Sequence, residues 1–455
     1  MGIIILTRKH QHYKLVLFKL NEMKKILSIV CLILIVSCSK AQQIKHVVLI
    51  TIDGFRPDFY LEDKWHTPNL KMLMQQGFYA KGVNSVFPSM TYPSHTTIVT
   101  GVQPAKHGIY YNGMFEPDTI KGKIYWNYAS IHVPTLWQAV HNKGGKVAAL
   151  FWPVSADAPA DYLIPDNGSM GEANRIAYSK PAGFIETLQK DVFNDTGKIN
   201  YGVDHNVAQI AAYVIKQAAP ELMTVHFFSV DHFEHMQGRE GELVEKAISD
   251  ADSAVGIVWK AIQDKGIADN TLFIVTGDHG FETVTTSVNP NVWLKEAGLI
   301  TDLKNGGWKA RFLSVGGSTY LYLKNRNDKA TLDKVNSILN NLPDSAKQYL
   351  RIISRQQLNS IGGNPEVEFA ISGLNGASFG NAENGDAIKA IKTSGAHGYF
   401  PDTKNIRAGF IAIGKTVNKG SVDEMNERDI TLVVIKALGL NFPTAEGKLP
   451  KGIFK

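Results

Sequence analysis

Apolar runs rich in β-branched residues alternate along the chain with segments of helical periodicity. The runs cover Val47–Ile52, Lys146–Trp152, Leu222–Val230, Thr271–Thr276 and Ala408–Ile413. Continuous apolar runs of this length are typical of strands that are buried on both faces of a sheet. Helical spacing that ends at a glycine predicts helices from Thr67 to Gly77 and from Gly241 to Gly266. We therefore predict an α/β fold with a mostly parallel central sheet and helices on both faces.

The domain organisation follows from the same pattern. After residue 41 there is no internal repeat, low-complexity tract or long Pro/Gly linker, so residues 42–455 are predicted to form one elaborated catalytic domain. The α/β alternation is weaker from about Asn289 to Ile391. We interpret that stretch as an inserted cap subdomain.

The N-terminal residues 1–41 are predicted to be a leader and export signal. Met23-Lys24-Lys25 forms the positively charged beginning that export signals have. The apolar run that follows, from Ile26 to Val36, is too short to span a bilayer. Ile-Val-Ser-Cys, ending at Cys38, resembles a bacterial lipobox, whereas processing after Ala41 would suit an ordinary signal peptidase. Residues 1–22 are interpreted as an extra leader before a start at Met23. We predict export to the cell envelope, as a periplasmic or outer-membrane lipoprotein or a secreted protein, with membrane contact only through a lipid at Cys38.

The net charge and the positions of the cysteines limit the partners and the metal ligands that are expected. Residues 1–40 carry seven basic residues and one acidic residue, which accounts for the whole net charge of +6. The remaining chain is formally neutral, so no specific nucleic-acid binding is expected. Both cysteines, Cys31 and Cys38, lie in the export signal. A metal site in the mature domain must therefore use histidine and carboxylate ligands.

Acidic residues follow three of the predicted strands, namely Asp53, Asp231 and Asp278. In parallel sheets, ligands gather beyond the carboxyl ends of the strands, so these side chains are expected to lie close together. Asp231 and His235 are four residues apart, so both side chains lie on one face of a helical turn, where they could hold one ion. More often, residues with that spacing simply form a solvent-exposed helix face.

Two further histidines complete the candidate set. His279 directly follows Asp278 in Asp-His-Gly, a sequence that a capped turn would also explain, and His397 stands in a glycine-flanked loop where surface histidines are common. Taken together, three carboxylates and three imidazoles would supply two nitrogen/oxygen sites, a set that suits zinc.

Thr91 is the candidate nucleophile. Pro93 suits the first turn of a helix that Gly101 would end, which places Thr91 at the helix N-terminus, where free N–H groups favour a negative oxygen or a phosphate. An N-cap is the alternative role for such a threonine. Asn112 is a candidate donor to a phosphoryl oxygen, or else a turn residue. His95 and His107 are interpreted as structural.

The ordered motifs resemble the nucleotide pyrophosphatase/phosphodiesterase family (type I phosphodiesterase) of the alkaline phosphatase superfamily. The resemblance suggests that this chain is a bacterial member. The matching pieces are Ile52–Arg56, Thr67–Leu70, Phe87–Pro88 with Thr91–Pro93 and His95, Val99–Gly101 with His107–Ile109, Phe151–Pro153, Asp231 with His235, Asp278–Gly280 and His397–Tyr399.

The resemblance implies an alkaline-phosphatase-like fold and two zinc ions per chain. It implies that Asp231, His235 and His397 hold one ion, and that Asp53, Asp278 and His279 hold the other near the Thr91 oxygen. It further implies in-line attack by Thr91, a covalent phosphothreonine intermediate that water hydrolyses, and contact between Asn112 and a phosphoryl oxygen.

Two positions depart from the family pattern: Ser94 replaces an asparagine, and Tyr92 replaces the usual phenylalanine after the nucleophile. Neither change removes a ligand. Tyr92 and Trp152 are candidate substrate contacts, and Tyr92 is equally well explained as a core aromatic.

The predicted function is hydrolysis of phosphodiester or phosphoanhydride bonds in a small phosphodiester or nucleotide. A sulfatase is excluded because no Cys/Ser-x-Pro-x-Arg segment stands at the nucleophile. Phosphate monoesterase and phosphonate hydrolase remain as alternatives, although residues 151–158 offer no Lys or Arg for the extra charge of a monoester. A non-catalytic zinc lipoprotein that binds phosphate ligands is the alternative from another class.

Overall fold

A computed structural model describes residue 23 and residues 44–118, 122–166, 171–195 and 197–455. The strands are β1 (His46–Ile52), β2 (Phe78–Asn84), β3 (Val147–Leu150), β4 (Tyr162–Ile164), β5 (Leu222–Phe227), β6 (Thr271–Thr276), β7 (Glu282–Val288), β8 (Ile300–Asp302), β9 (Gly307–Trp308), β10 (Ala310–Ser314), β11 (Ser318–Leu323), β12 (Leu350–Ile353), β13 (Ala370–Gly373), β14 (Ala377–Phe379), β15 (Ile388–Ala396), β16 (Ala408–Ile413), β17 (Gly420–Val422) and β18 (Met425–Asn426).

The α-helices surround these strands. They are α1 (Asp58–Leu61), α2 (Pro68–Gln76), α3 (Thr91–Thr100), α4 (Pro104–His107), α5 (Leu136–Asn142), α6 (Glu172–Tyr178), α7 (Phe184–Asp191), α8 (Asp204–Ala218), α9 (Ser229–Gln237), α10 (Glu242–Asp264), α11 (Pro290–Glu296), α12 (Lys329–Asn340), α13 (Asp344–Lys347), α14 (Arg355–Ser360) and α15 (Glu427–Leu438).

The central sheet has the strand order β17-β2-β16-β6-β1-β5-β3-β4, with β18 also beside β2. Its strands pair in parallel except for β16, which runs antiparallel to both β2 and β6. The α/β fold with a mostly parallel sheet, predicted from the apolar runs, is confirmed. Strands β1, β5 and β6 end at the same edge because β1 pairs with β5 on one side and with β6 on the other.

Helices cover both faces of this sheet, and the alternation along β1 shows why. Val48, Ile50 and Ile52 pack with helices α2, α8 and α10, whereas Val47 and Leu49 pack with α3, α5 and α15. All five side chains are buried. Burial of each large aliphatic side chain contributes roughly 1.5–3 kcal/mol, so both faces of β1 favour its central position.

The stretch from Asn289 to Ile391 has a sheet of its own, with the strand order β10-β11-β13-β12 and antiparallel pairing. Its apolar side chains form a separate cluster that also receives Phe87, Met90 and Tyr111 from the rest of the chain. Strands β7, β14 and β15 form a third sheet. The assignment of this stretch as a cap insertion, and of residues 42–455 as one catalytic domain, stays a prediction.

Two predicted strands were too long: Lys146–Trp152 is a strand only over Val147–Leu150, and the strand before the site is also shorter. The apolar run from Leu222 to Val230 ends as a strand at Phe227, and Val230 and Asp231 belong to helix α9. The cause lies in a distant residue: the Asp204 carboxylate accepts hydrogen bonds from the N–H groups of Phe228 (2.9 Å) and Ser229 (3.3 Å), which fixes the chain where it turns into the helix.

The chain divides into two units, residues 1–43 and residues 44–455. The export signal, the proposed lipid site at Cys38 and the leader over residues 1–22 lie outside the described residues, apart from Met23. In the part of the chain that is described, no helix combines the length and apolarity that are needed to cross a membrane.

Candidate active site

Asp53, Asp278 and His279 form what we call the inner cluster. Asp53 follows β1, and Asp278 and His279 follow β6, so the parallel pairing of these strands brings the three residues together. The His279 Nε2 atom lies 3.3 Å from Asp53 Oδ1 and 3.3 Å from Asp278 Oδ2. The N–H group of Gly54 donates a hydrogen bond of 3.1 Å to Asp278 Oδ1, which orients that carboxylate.

Asp231, His235 and His397 form the outer cluster. Asp231 and His235 occupy successive turns of α9, with 3.4 Å between His235 Nε2 and Asp231 Oδ1, and His397 Nε2 lies 3.7 Å from the same oxygen. The His397 ring stacks on His279, with 3.8 Å between ring centroids. Ligand atoms of Asp231, His279 and His397 lie within 4.8 Å of one another, as do those of the inner cluster. The two clusters are therefore contiguous.

All three candidate histidine ligands are held in the same way. The Nδ1 atom of His235 lies 3.0 Å from the Gly395 carbonyl, that of His397 lies 3.0 Å from the Ser89 carbonyl, and that of His279 lies 3.3 Å from the Gly280 carbonyl. A carbonyl oxygen only accepts, so each Nδ1 carries the proton. Each Nε2 then presents a lone pair to the carboxylates, which is the arrangement that metal-ligating histidines adopt.

The carboxylates lack protein partners on the side that faces these nitrogens. Asp53 Oδ1, Asp231 Oδ1 and Asp278 Oδ2 are buried and accept no hydrogen bond from the described residues. Burial, followed by repulsion from Asp231, raises the pKa of Asp53 well above its usual range and that of Asp278 to about 7. Burial also lowers the pKa of His397 to about 3.

These unpaired oxygens and nitrogens fit bound cations. A divalent cation would satisfy the orphaned oxygens and keep the carboxylates ionised, which the protein alone disfavours. Each cluster offers three side chains with nitrogen or oxygen donors, close to the four ligands that zinc usually takes. This donor set therefore suits zinc. The residues therefore fit metal binding.

Thr91 lies at the first position of helix α3, after the N-cap residue Met90. Its Oγ1 atom lies 3.5 Å from the His279 Nε2 atom, so the hydroxyl faces the inner cluster. The helix ends at Gly101, which adopts a φ of 71° that favours glycine. The predicted helix from Pro93 to Gly101 is confirmed, and Met90 rather than Thr91 holds the N-cap position.

Asn112 lies beside the start of helix α3. Its side-chain Oδ1 atom accepts a hydrogen bond of 3.0 Å from the N–H group of Tyr92. This bond fixes the amide plane and leaves the Nδ2 group as the donor. Asn112 thus lies beside the residue that follows Thr91, and its contact with a phosphoryl oxygen stays a prediction.

Beneath the inner cluster, a buried chain of side chains supports Asp53. His226 Nε2 lies 3.3 Å from Asp53 Oδ2, and Thr51 Oγ1 lies 2.9 Å from His226 Nδ1 and 2.8 Å from His95 Nε2. Burial lowers the pKa of His95 to about 3, so the ring is neutral. The structural interpretation of His95 agrees with these contacts. His107 is likewise buried, 3.1 Å from Thr97 Oγ1.

Two residues near the inner and outer clusters were not predicted from the sequence. His226 lies in the middle of strand β5, where a histidine in an apolar run was the signal that could have identified it. Glu234 stands between Asp231 and His235 on α9 and is fully buried, with its Oε1 atom 3.0 Å from Arg56 Nε. No spacing rule distinguishes Glu234 from the exposed acids of other helices.

The substrate contact proposed for Trp152 is wrong. Its side chain is 0% exposed, it packs against the rings of His95 and Trp137, and its Nε1 group donates to the His95 carbonyl at 3.3 Å. Trp152 is therefore a support for helix α3. Tyr92 is largely buried, and its hydroxyl donates to Asp166 Oδ2 at 2.8 Å. Its role as a substrate contact stays a prediction.

Known proteins with similar sequences indicate the family to which this site belongs. Residues 47–400 match the family described as type I phosphodiesterase / nucleotide pyrophosphatase. Ectonucleotide pyrophosphatase/phosphodiesterase family member 1 of Rattus norvegicus is 26% identical over 245 residues, which cover 52% of this chain and 24% of the relative. Venom phosphodiesterase of Naja atra is 26% identical over 248 residues, covering 52% of this chain and 26% of that protein.

The matched region therefore spans about a quarter of the length of these two relatives. A solved structure of murine ectonucleotide pyrophosphatase/phosphodiesterase 5, an inactive form in complex with AMP, superposes with a TM-score of 0.66 at 20% identity. It covers 89% of this chain and 97% of its own. This likeness establishes the alkaline-phosphatase-like fold.

The family match extends over most of the chain, from β1 through β6 to the loop that carries His397, and so includes every residue of both clusters. The protein belongs to the type I phosphodiesterase / nucleotide pyrophosphatase family.

Proposed function

We propose that the protein is a two-zinc hydrolase that cleaves phosphodiester or phosphoanhydride bonds with Thr91 as its nucleophile. The observation that carries this proposal is the placement of Thr91 Oγ1 at the N-terminus of α3, 3.5 Å from the His279 Nε2 atom of the inner cluster. A hydroxyl at that place is close to the ligands of a cation that would lower its pKa.

The ligands are proposed to divide as the family resemblance implies. Asp53, Asp278 and His279 would hold the ion next to Thr91, and Asp231, His235 and His397 would hold the other. When bound, two such ions stabilise the attacking and leaving oxygens of a displacement at phosphorus. The contiguity of the two clusters, with His397 stacked on His279, supports one shared substrate site.

Thr91 would attack phosphorus through Oγ1 while the bond to the leaving oxygen breaks on the opposite side, which gives a phosphothreonine diester. Water would then cleave the Oγ1–phosphorus bond and restore the threonine. The Asn112 Nδ2 group, oriented by the bond from Tyr92 N–H to Oδ1, would donate to a non-bridging phosphoryl oxygen.

A diester or nucleotide substrate fits the charges better than a monoester. The segment from Phe151 to Ala158 carries no Lys or Arg to bind a second negative charge. The murine relative binds AMP in its solved structure, which supports small nucleotide substrates here.

Export to the cell envelope is proposed with the activity. Relatives are named as ectoenzymes or as a venom enzyme, and the apolar segment before Cys38 has the features of an export signal. A lipid at Cys38 would be the membrane contact.

The test is to replace Thr91 by alanine and to measure cleavage of p-nitrophenyl thymidine 5′-phosphate. Turnover is expected to fall by at least about 10³-fold, because the covalent step is lost. Zinc content should stay near that of the wild type, since six other side chains hold the ions. Thr91→Ser, which keeps a hydroxyl, should retain measurable turnover.

Thr100→Ala is the matched control, because its hydroxyl lies in the same helix and donates to the Thr96 carbonyl, away from both clusters. Mass spectrometry of the rapidly quenched wild type should find phosphate-ester mass on the peptide that contains Thr91. Undiminished turnover by Thr91→Ala would exclude the nucleophile assignment.

A further inference from the structure

Arg56 and Glu234 form an ion pair that links the elements carrying the two clusters; we call it the buried pair. The Arg56 Nε atom lies 3.0 Å from Glu234 Oε1, and the two side chains are 1% and 0% exposed. Arg56 follows Asp53 by three residues, and Glu234 directly precedes His235 on α9. The buried pair therefore joins the loop of an inner-cluster residue to the helix of two outer-cluster residues.

Arg56 is fixed on its own side of the buried pair. Its guanidinium carbon lies 4.3 Å from the ring centre of Phe59 and 5.4 Å from that of Trp65. Its Nη2 atom lies 3.3 Å from Asp58 Oδ2. The same Nη2 group donates a hydrogen bond of 2.9 Å to the Arg239 carbonyl, just beyond the end of α9. Arg56 thus contacts the α9 segment both through a helix side chain and through the main chain that follows the helix.

Glu234 packs closely against the loop of the inner cluster. A Cβ atom on Gly54 would lie 2.5 Å from Glu234 Oε2, and the N–H group of Gly54 donates to Asp278 Oδ1. Gly54 therefore orients an inner carboxylate and also leaves room for the Glu234 carboxylate. Strand β15 is equally close to the helix, because a Cβ atom on Gly395 would clash with the Glu234 carbonyl oxygen. Helix α9 consequently has little room to shift.

Stability is a weak explanation for the buried pair. Taking an arginine and a glutamate out of water carries a large desolvation cost, and replacing a buried ion pair by apolar side chains of similar volume is often neutral or stabilising. Apolar side chains do not reproduce the direction of the contact. A charged pair fixes the distance and the orientation of its partners, whereas apolar contacts are non-directional.

We propose that Arg56 and Glu234 are positioning residues that fix the distance between the inner and outer clusters. The buried pair sets how α9 docks on the loop after β1, and with it the places of Asp231 and His235 relative to Asp53. Loss of the pair should loosen the outer cluster, while the inner cluster keeps its form because strands β1 and β6 hold it. The consequence for zinc rests on the proposed function, and the consequence for the helix does not.

The test is the double variant Arg56→Met/Glu234→Leu, which removes both charges together and leaves neither of them without the other. Its metal-free form should unfold at a urea midpoint equal to or above that of the wild type. Hydrogen exchange of the amides in Ser229–Gln237, followed by mass spectrometry on the metal-free protein, should nevertheless be at least about 10-fold faster. Arg56→Leu/Glu234→Met replaces this variant if circular dichroism shows it to be unfolded.

Zinc binding to the same double variant is measured by competition with a chelator. One of the two ions should bind about 10- to 10²-fold more weakly than in the wild type, because the residues behind the ligands are lost. Adding His235→Ala identifies that ion. In the His235→Ala background, which is expected to retain only the inner ion, the double variant should leave the zinc affinity unchanged.

Lys64 and Glu240 provide the matched control. Their ion pair, at 2.8 Å, joins the segments that follow α1 and α9, but the two side chains are 49% and 68% exposed. Lys64→Met/Glu240→Leu should keep both the exchange rates of α9 and the zinc affinities of the wild type. Glu234→Gln, which retains an oxygen for Arg56 Nε, should also keep the slow exchange.

Wild-type exchange rates in α9 of the double variant would overturn the inference. So would exchange that is faster by the same factor along the whole chain, since that result reports lower overall stability. A wild type that takes up fewer than two zinc ions would instead refute the two-zinc proposal. Exchange in the metal-free protein would still decide the role of the buried pair.

Discussion

The inner and outer clusters are both built from aspartate and histidine, two aspartates and one histidine in the inner and the reverse in the outer, but they differ in how the fold holds them. Asp53, Asp278 and His279 extend from two paired strands of the central sheet, and the His279 side chain is 0% exposed. Asp231 and His235 stand on a helix, and the His235 side chain is 45% exposed. His397 reaches the outer cluster from the loop after β15.

This difference separates two tasks. Strand ends locked by a sheet hold side chains with little freedom, which would suit an ion that positions the Thr91 hydroxyl, as proposed above. The more exposed side chain of His235 would leave the outer cluster more open to a bound group. The backbone also differs: Gly54, beside the inner cluster, has a φ of 74°, and a Cβ atom there would lie 2.5 Å from Glu234 Oε2. Gly54 thus allows the helix of the outer cluster to approach the inner one.

The largest expected difference between the clusters concerns their histidines. His279→Ala should abolish retention of both ions and lower kcat/KM by more than about 10³-fold, because His279 Nε2 lies near ligands of both clusters. His235→Ala should keep the inner ion and lose roughly 10- to 10²-fold in kcat/KM. Metal content after dialysis and turnover of p-nitrophenyl thymidine 5′-phosphate measure both effects.

His232→Ala is the control for this pair, because His232 is an exposed neighbour on the same helix. It should resemble the wild type. Equal loss of metal in His279→Ala and His235→Ala would remove the distinction between the clusters.

A smaller effect is expected from the support of the outer cluster. Arg56 is 1% exposed, and its guanidinium pairs with Glu234 at 3.0 Å and with Asp58 at 3.3 Å. Arg56→Met should destabilise the metal-free protein by about 3–5 kcal/mol, because it leaves Glu234 buried without its cation. It should also weaken metal binding at the outer cluster, since Glu234 lies on the same helix as Asp231.

Urea denaturation of the metal-free protein measures this effect. Lys64→Met is the control: Lys64 is half exposed and pairs with Glu62 and Glu240, so its loss should cost under about 1 kcal/mol. Equal unfolding free energies for the two variants would show that the buried Arg56–Glu234 pair stabilises the protein no more than the exposed pairs of Lys64.

The smallest effect is expected beneath the inner cluster. Thr51→Val removes the hydroxyl that contacts both His95 and His226, whose rings also meet directly at 3.1 Å, and should cost about 1 kcal/mol of unfolding free energy, because each ring nitrogen loses one of its buried partners. Thr285→Val, at an exposed position of β7, should be nearly neutral. A Thr51→Val protein as stable as the control would show that the rings find other partners.

The inner cluster was predictable from sequence for a simple reason. An apolar run followed by an acidic residue identifies a buried strand and its end, and the ends of parallel strands meet at one edge. Asp53, Asp278 and His279 follow such runs. The helical turn predicted for Asp231 and His235 is present, but the strand before it ends sooner than predicted, because Asp204 turns the chain into α9 three residues before Asp231.

Other features depended on contacts between distant segments. The aromatic character of Trp152 suited a substrate contact, yet the packing of His95 and Trp137 around it leaves it no exposed surface. His226 and Glu234 have ordinary sequence neighbours, and only the approach of Asp53 and Arg56 gives them a role.

The sequence by itself determined the α/β layering, the family and the residues that converge at the sheet edge, because periodicity and strand ends are local properties of the chain. The tertiary structure alone decided how exposed each cluster is and which polar groups support it. Those properties depend on pairs such as Arg56 with Glu234 and Asp53 with His226, which are separated by many residues and meet only when the chain is folded.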